Sequence, residues 1–193
     1  MKTFVHFCKC LAGLDEAATQ VTQAELAMLL KHSRGAEILV ELGCYEGATA
    51  VALARNAPGG QVHSIDPFYR GRIGLSYGYW IARLEIWRKR VRNIHLIQAF
   101  SYDAIKQFHS QIDFLFIDAD HSREGVERDW SDWLPKLRTG GLIAMHDCRI
   151  SSNSPIELGT MQFYRERLSK LDDIVELDAV DSLAIFQKRQ LAR

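Results

Sequence analysis

Residues Ile38–Thr49 read I-L-V-E-L-G-C-Y-E-G-A-T, and the fold turns on how that stretch is parsed. A short apolar run reaches Glu41, breaks at Gly43 and resumes as a small-residue helical pattern after Gly47. That predicts a strand, a tight turn and a helix start in quick succession. Gly43 would supply the positive φ of the turn or room for a ligand against the backbone, and Gly47 would let helix and strand pack tightly. Backbone N–H groups are left free at such a helix start, where a carboxylate or phosphate is stabilised. An ordinary βα turn reads the same way, so the rest of the chain has to decide.

Working outward, the second strand is predicted at Gln61–Ile65, after the Pro58-Gly59-Gly60 break, and it ends at Asp66-Pro67. Asp66 lies 23 residues beyond Gly43. An acid at the carboxyl end of the neighbouring strand can accept both hydroxyl hydrogens of a ribose. Dinucleotide sites use G-x-G-x-x-G, whose middle glycine clears room for a pyrophosphate. Here Tyr45 stands two residues after Gly43, which disfavours an NAD-binding oxidoreductase. Ile112–Ile117, I-D-F-L-F-I, is nearly all apolar, as a central parallel strand buried on both faces should be. It delivers Asp118, Asp120 and His121 at its carboxyl end, where ionisable groups are costly unless solvated or liganded. After the helix Glu124–Trp133, Pro135 and Gly140-Gly141 are read as turning the chain into a strand at Leu142–Met145, which ends in His146-Asp147-Cys148. Acids and histidines of two adjacent strands thus share an edge with the glycine turn, where doubly wound sheets bind ligands.

The flanking segments are less informative. Thr22-Gln-Ala-Glu25 is a capping box opening a helix over Gln23–Ser33, with a shorter helix expected around Asp15–Gln20. Residues 1–35 form a helical cover with no evident chemistry. Tyr77–Arg92 has helical spacing. Its stripe Tyr79, Trp80, Leu84, Trp87 and Val91 is expected to pack into the core, the alternative being a substrate-pocket rim with Arg70 or Arg72. Ile94–Gln98 reads as a third strand, followed by Ser101. Ser151–Gly159, with Pro155, reads as a mobile loop over the site. Met161–Lys170 reads as a helix, and Asp173–Asp178 with Ser182–Lys188 as a closing hairpin.

Composition sets the outer limits. The 193 residues suit one domain, 1–193, with no internal repeat or linker. Lys plus Arg equals Asp plus Glu at 24 each, so no net field recruits nucleic acid or an anionic membrane. No apolar run approaches the roughly 20 residues of a membrane span, and the N-terminus lacks a signal-peptide core. Cys8 and Cys10 have no second close pair to complete a zinc site, so the four cysteines read as reduced thiols of a cytoplasmic protein.

The E-L-G-C-Y-E-G turn, I-D-A-D-H-S-R-E-G-V, W-L-P-K-L-R-T-G-G and M-H-D together resemble class I S-adenosylmethionine-dependent methyltransferases over about Ile38–Lys188. The nearest likeness is to antibiotic-sugar (macrocin-type) O-methyltransferases and cephalosporin tailoring proteins, with catechol- and caffeoyl-type enzymes further off. The resemblance implies an α/β, Rossmann-like three-layer sandwich whose seven-stranded sheet runs 3-2-1-4-5-7-6 with strand 7 antiparallel. It implies S-adenosylmethionine held by Glu41, Gly43, Tyr45, Gly47, Asp66, Ser101 and Asp118, the methionine carboxylate lying at the helix start. In metal-dependent members the acid after strand 4 and two residues after strand 5 hold a divalent ion. Asp118, His146 and Asp147 occupy those positions. His146 departs from the usual oxygen ligand, which disfavours Mg²⁺ and leaves room for a softer ion or for none. His121 matches the base of sugar-methylating relatives, with Asp118 as its catalytic partner. The expected acceptor is a small-molecule hydroxyl, with a homodimer left open. A non-catalytic cofactor-binding or regulatory protein on the same fold remains the alternative.

Overall fold

The computed structural model describes residues 2–71, 74–152, 154 and 156–190. Its elements in chain order are α1 (Lys2–Ala12), α2 (Gln23–Ser33), β1 (Ile38–Leu42), α3 (Ala48–Asn56), β2 (Gln61–Asp66), α4 (Tyr77–Arg88), β3 (Ile94–Gln98), α5 (Ser101–Ala104), β4 (Ile112–Ile117), α6 (Arg123–Trp133), β5 (Leu137–Met145), α7 (Gly159–Glu166), β6 (Ile174–Val180) and β7 (Leu183–Lys188). The strands form one sheet of order β3-β2-β1-β4-β5-β7-β6. β1 pairs in parallel with β2 and β4, β2 with β3, and β4 with β5, while β7 runs antiparallel to β5 and β6. This is the order and the single reversal that the motifs implied.

β4 sits at the centre because five of its six residues are buried, leaving Asp113 partly exposed. That aspartate takes the N–H groups of Glu37 and Ile38 and pairs with Arg138, tying the amino ends of β1, β4 and β5 together. One sheet face carries Val40, Leu42, Leu115, Ile117 and Ile143 against Val126, Trp130 and Trp133 of α6 and Phe163 of α7. The other carries Leu39, Val62, Phe114, Phe116 and Ile185 against α2 and α3. Alternation along each strand feeds both cores.

Several boundaries differ from the sequence reading. The expected helix at Asp15–Gln20 is absent, and the first helix is Lys2–Ala12. Asp15 and Glu46 both hold His6, and Glu46 also captures the Ala18 N–H, so this segment is tied down by side chains as an irregular strap. Gly140-Gly141 does not turn the chain. β5 starts at Leu137 opposite Ile112 and resumes with Leu142 opposite Phe114, and the surplus residues form a bulge with Gly140 at φ +79°. The α4 stripe reaches the core only in part: Tyr79 packs on Phe68 and Val91 against the α2–α3 side of the sheet, while Trp80 and Trp87 are exposed and the helix buries Ile81 and Ala82 instead. Arg70 is exposed and off the cleft wall, while Arg72 and Pro155 lie outside the described residues. The helix expected over Met161–Lys170 is Gly159–Glu166 followed by a separate short 3₁₀ turn. No helix among the described residues is long and apolar enough to cross a membrane.

Candidate active site

The carboxyl ends of β1, β2, β4 and β5 open on one side, with the β1–β4 junction marking the point where strand order reverses. A cleft of about 690 Å³ lies there, lined by Gly43, Tyr45, Asp66, Phe68, Ser101, Asp118 and His121, and by Ala18, Thr19 and Gln20 of the N-terminal strap. Three non-glycine residues at these strand ends hold left-handed backbone: Tyr45 at φ 54°, Phe68 at 48° and Asp147 at 51°. Such conformations persist only where the surroundings enforce them, and they gather at functional sites.

The glycine turn differs in detail from its sequence reading. Gly43 has φ +90°, and a Cβ there would overlap the Asp118 carbonyl, so its job is to let the β1 turn cross the end of β4. Gly47, at φ +84°, allows the start of α3 to approach Ala82 of α4, so the close packing is helix on helix. Asp66 clamps the turn: one carboxylate oxygen accepts the N–H groups of Cys44 and Tyr45, both at 3.0 Å, and the other accepts that of Phe68 at 2.6 Å. Those N–H groups therefore serve Asp66. Its remaining lone pairs are held rigidly at the cleft.

Neither Glu41 nor Gly47 reaches the cleft wall. Glu41 lies beneath the turn at 1% exposure, one oxygen accepting the Ser64 hydroxyl and the other without a hydrogen bond. Burial, reinforced by the charges of Asp118 and Asp66, outweighs the Ser64 bond and pushes its pKa up to about 8. Ser101 does line the cleft, and its hydroxyl donates to Asp129, a buried acid that sequence reasoning missed. Burial raises the Asp129 pKa to about 6. The signal was an aspartate on the stripe Val126, Trp130, Trp133 that α6 buries against the sheet.

Beside the cleft, Asp118, His121, His146 and Asp147 bring one ligand atom each to within 4.8 Å of one another. His121 Nε2 is 3.4 Å from Asp118 Oδ1 and 3.3 Å from Asp147 Oδ2. His146, 2% exposed, places Nδ1 3.1 Å from Asp118 Oδ1 and 3.4 Å from Asp147 Oδ2. That nitrogen is in ion-pair contact with both carboxylates, without the alignment of a hydrogen bond to either. Desolvation opposes the charged form of His146, yet Asp118, Asp147 and Glu25 prevail and raise its pKa to about 12. His121 is raised by its bond to Asp118, against desolvation. Burial would lift the Asp147 carboxyl, but the His146 charge holds it below the usual range. Two carboxylates and two imidazoles converging within 4.8 Å are a donor set that fits a divalent cation, which would displace the protons of the histidines.

In the sequence Glu25 shows only as half of a capping box. It does fill that role, taking the Thr22 N–H at 2.8 Å. It is also fully buried, accepting from His146 Nε2 at 3.1 Å and from the Ser182 N–H and hydroxyl at 2.9 and 2.7 Å.

A cleft at the reversal point of a doubly wound sheet, walled by a glycine turn and an acid one strand over, marks the class of α/β proteins that hold a nucleoside cofactor. Residues 40–148 match the family model described as a methyltransferase domain, and the chain belongs to that family. No curated protein sequence matches it. Solved structures share the fold. The O-methyltransferase from Bacillus cereus in complex with SAH is 20% identical, with 97% of this chain and 91% of that chain covered and a TM-score of 0.68. TomG, the O-methyltransferase from Streptomyces achromogenes involved in tomaymycin synthesis and solved with SAM, is 15% identical, with 98% and 91% covered and a TM-score of 0.68. An rRNA methylase from Streptococcus thermophilus is 14% identical, with 90% and 100% covered and a TM-score of 0.65. At these identities the likeness is one of fold.

Proposed function

We propose that this chain transfers the methyl group of S-adenosylmethionine to a hydroxyl oxygen of a small molecule, with help from a divalent cation. The observation that carries the reading is the placement of Asp118, which lines the cleft and also belongs to the His–Asp cluster. The family supports methyl transfer, and the B. cereus and S. achromogenes structures, solved with SAH and SAM, support the cofactor. The D-A-D-H-S-R-E-G-V and M-H-D motifs favour a sugar, phenol or natural-product acceptor of the kind methylated by antibiotic-sugar enzymes. An even charge balance gives no basic field for the RNA acceptor that the rRNA methylase neighbours would suggest.

Methyl transfer from a sulfonium is an in-line displacement, so the chain's main work is alignment. Asp66, immobilised by three N–H groups, offers its free lone pairs to the ribose hydroxyls. Gly43 and Tyr45 shape the wall beside the methionine portion, and Ser101 with Asp129 borders the far end. Asp118, His146 and Asp147 would hold the cation, whose positive charge lowers the pKa of a nearby acceptor hydroxyl. His121 is about one-third exposed on the cleft side and takes the hydroxyl proton as base.

Two outcomes test this. Asp118→Ala and Asp147→Ala should each lower S-adenosylhomocysteine release by about 100-fold or more, and a chelator should do the same to the wild type. Activity unchanged by both treatments would remove the cation. Asp66→Ala should weaken S-adenosylhomocysteine binding, measured by calorimetry, about 10–100-fold, the worth of two lost hydrogen bonds to a charged group. Equal affinity would displace the nucleoside from this cleft, and NAD should give no heat. A second role for His121 is favoured by its Nε2 lying within the cluster, which suits a fourth ligand. His121→Ala separates the roles: a base leaves cation affinity intact, whereas a ligand takes it away.

A further inference from the structure

We propose that Glu25 is a positioning residue for His146, and that together they turn the cluster into a site for a borderline transition ion such as Co²⁺ or Zn²⁺ in preference to Mg²⁺. The proposal rests on the cation reading given above and deepens it.

His146 turns its two ring nitrogens toward different partners. Nε2 meets the Glu25 carboxylate at 3.1 Å inside the protein, both side chains being buried. Nδ1 faces Asp118 and Asp147 in ion-pair contact at 3.1 and 3.4 Å, without hydrogen-bond alignment to either. That nitrogen would exchange its proton for a bound cation. Its orientation toward two carboxylates is that of a ligand atom. A carboxylate on the far nitrogen fixes which nitrogen faces the ion, restrains ring rotation and raises the basicity of the coordinating nitrogen. Glu25 itself cannot swing away, because the Thr22 N–H and both donors of Ser182 hold it. The Phe116 and His146 rings meet edge to face, with centroids 6.4 Å apart at 83°, so Phe116 adds a packing contact to the imidazole.

The chemistry of the donor set then decides the ion. Mg²⁺ is hard, prefers oxygen in near-octahedral array and keeps water, whereas imidazole suits Zn²⁺, Co²⁺ and neighbouring ions. The consecutive pair after β5 is His146-Asp147, so one oxygen position of an all-oxygen site is replaced by nitrogen. A carboxylate contributed from α2, far away in the chain, supports that nitrogen.

The test is metal binding by the 193-residue chain, followed by calorimetry and by the visible absorption of Co²⁺, with Mg²⁺ titrated in parallel. The wild type should bind Co²⁺ in preference to Mg²⁺. Glu25→Gln should reduce Co²⁺ affinity about 10–100-fold with a smaller effect on Mg²⁺, so the ratio of the two affinities falls. His146→Asn, which restores an oxygen donor, should also lower the ratio. A folded Glu25→Gln protein with the wild-type ratio would overturn the role of Glu25 while leaving the cation in place. A wild type that binds neither ion would remove the cation reading and this proposal with it. Glu25→Gln also disturbs the cap of α2, so an independent measurement uses the unaltered chain. Its Co²⁺ form should show a hyperfine-shifted, slowly exchanging N–H proton resonance from His146 Nε2 that is missing in His146→Asn. Its absence from the Co²⁺ wild type would overturn the proposed orientation.

Discussion

Gly43→Ala is expected to destabilise the protein by about 4 kcal/mol or more, in the range reserved for severe steric conflict, and to abolish cofactor binding with it. Two penalties combine. At φ +90° any side chain is strained, worth about 1–2 kcal/mol. The added methyl would also overlap the carbonyl of Asp118 and approach the Ala119 Cα to 3.0 Å, and neither is a side chain that can turn aside. The crossing is pinned on both sides, because the Gly43 N–H donates to Ile65 at 2.8 Å and the Asp118 N–H donates to Leu42 at 2.9 Å. Gly35→Ala is the control: φ is +77° there, but a Cβ meets nothing within 4 Å, so only the backbone term of about 1–2 kcal/mol applies. Chemical denaturation of both variants measures the difference. Equal losses would mean that the β1 turn can move off β4, and that the site does not depend on their contact.

That contact shows what kind of information the sequence carried and what it withheld. The E-L-G-C-Y-E-G stretch announced a strand, a turn and a helix because those follow from residues a few positions apart. The reason for Gly43 is a carbonyl on another strand, which no local pattern reveals. The same division runs through the site. Asp66, Asp118, His146 and Asp147 were legible because each stands at the carboxyl end of a recognisable strand, so topology alone delivers them to one edge. Sheet order, by contrast, came from the resemblance and not from periodicity. Glu25 was hidden in plain view: the capping box accounts for a glutamate at the third helical position, so nothing prompted a search for a partner 121 residues away. His6 and Glu46, 40 residues apart, explain in the same manner why residues near Asp15 form a strap instead of a helix. Local rules identify a residue's first role and stop there; the second role depends on burial, which only the folded chain supplies.

Glu41 shows the energetic side of that limit. Its carboxyl is buried, with the charges of Asp118 and Asp66 nearby, and the folded state holds its proton up to a pKa of about 8 against an ordinary glutamate value of 4.5. Between those values the unfolded chain releases the proton and the folded chain retains it. The folded state therefore binds more protons across this window, and stability must fall as pH rises through it. The slope is about 1.4 kcal/mol per pH unit, so the contribution present below pH 4.5 is lost by about pH 8, to an upper limit of about 5 kcal/mol. Glu41→Gln keeps the shape and an oxygen for the Ser64 hydroxyl but cannot ionise. Urea denaturation of wild type and variant at a series of pH values isolates the term, because titrations common to both proteins cancel in the difference. The variant is expected to match the wild type or fall slightly below it near pH 4.5 and to exceed it progressively up to pH 8. Parallel stability curves over that range would mean that Glu41 is already ionised when folded, with a compensating positive charge or water at its second oxygen. A neutral Glu41 would also explain how three carboxyl groups, those of Glu41, Asp66 and Asp118, can meet at one end of β1 without mutual repulsion opening the turn that the site is built on.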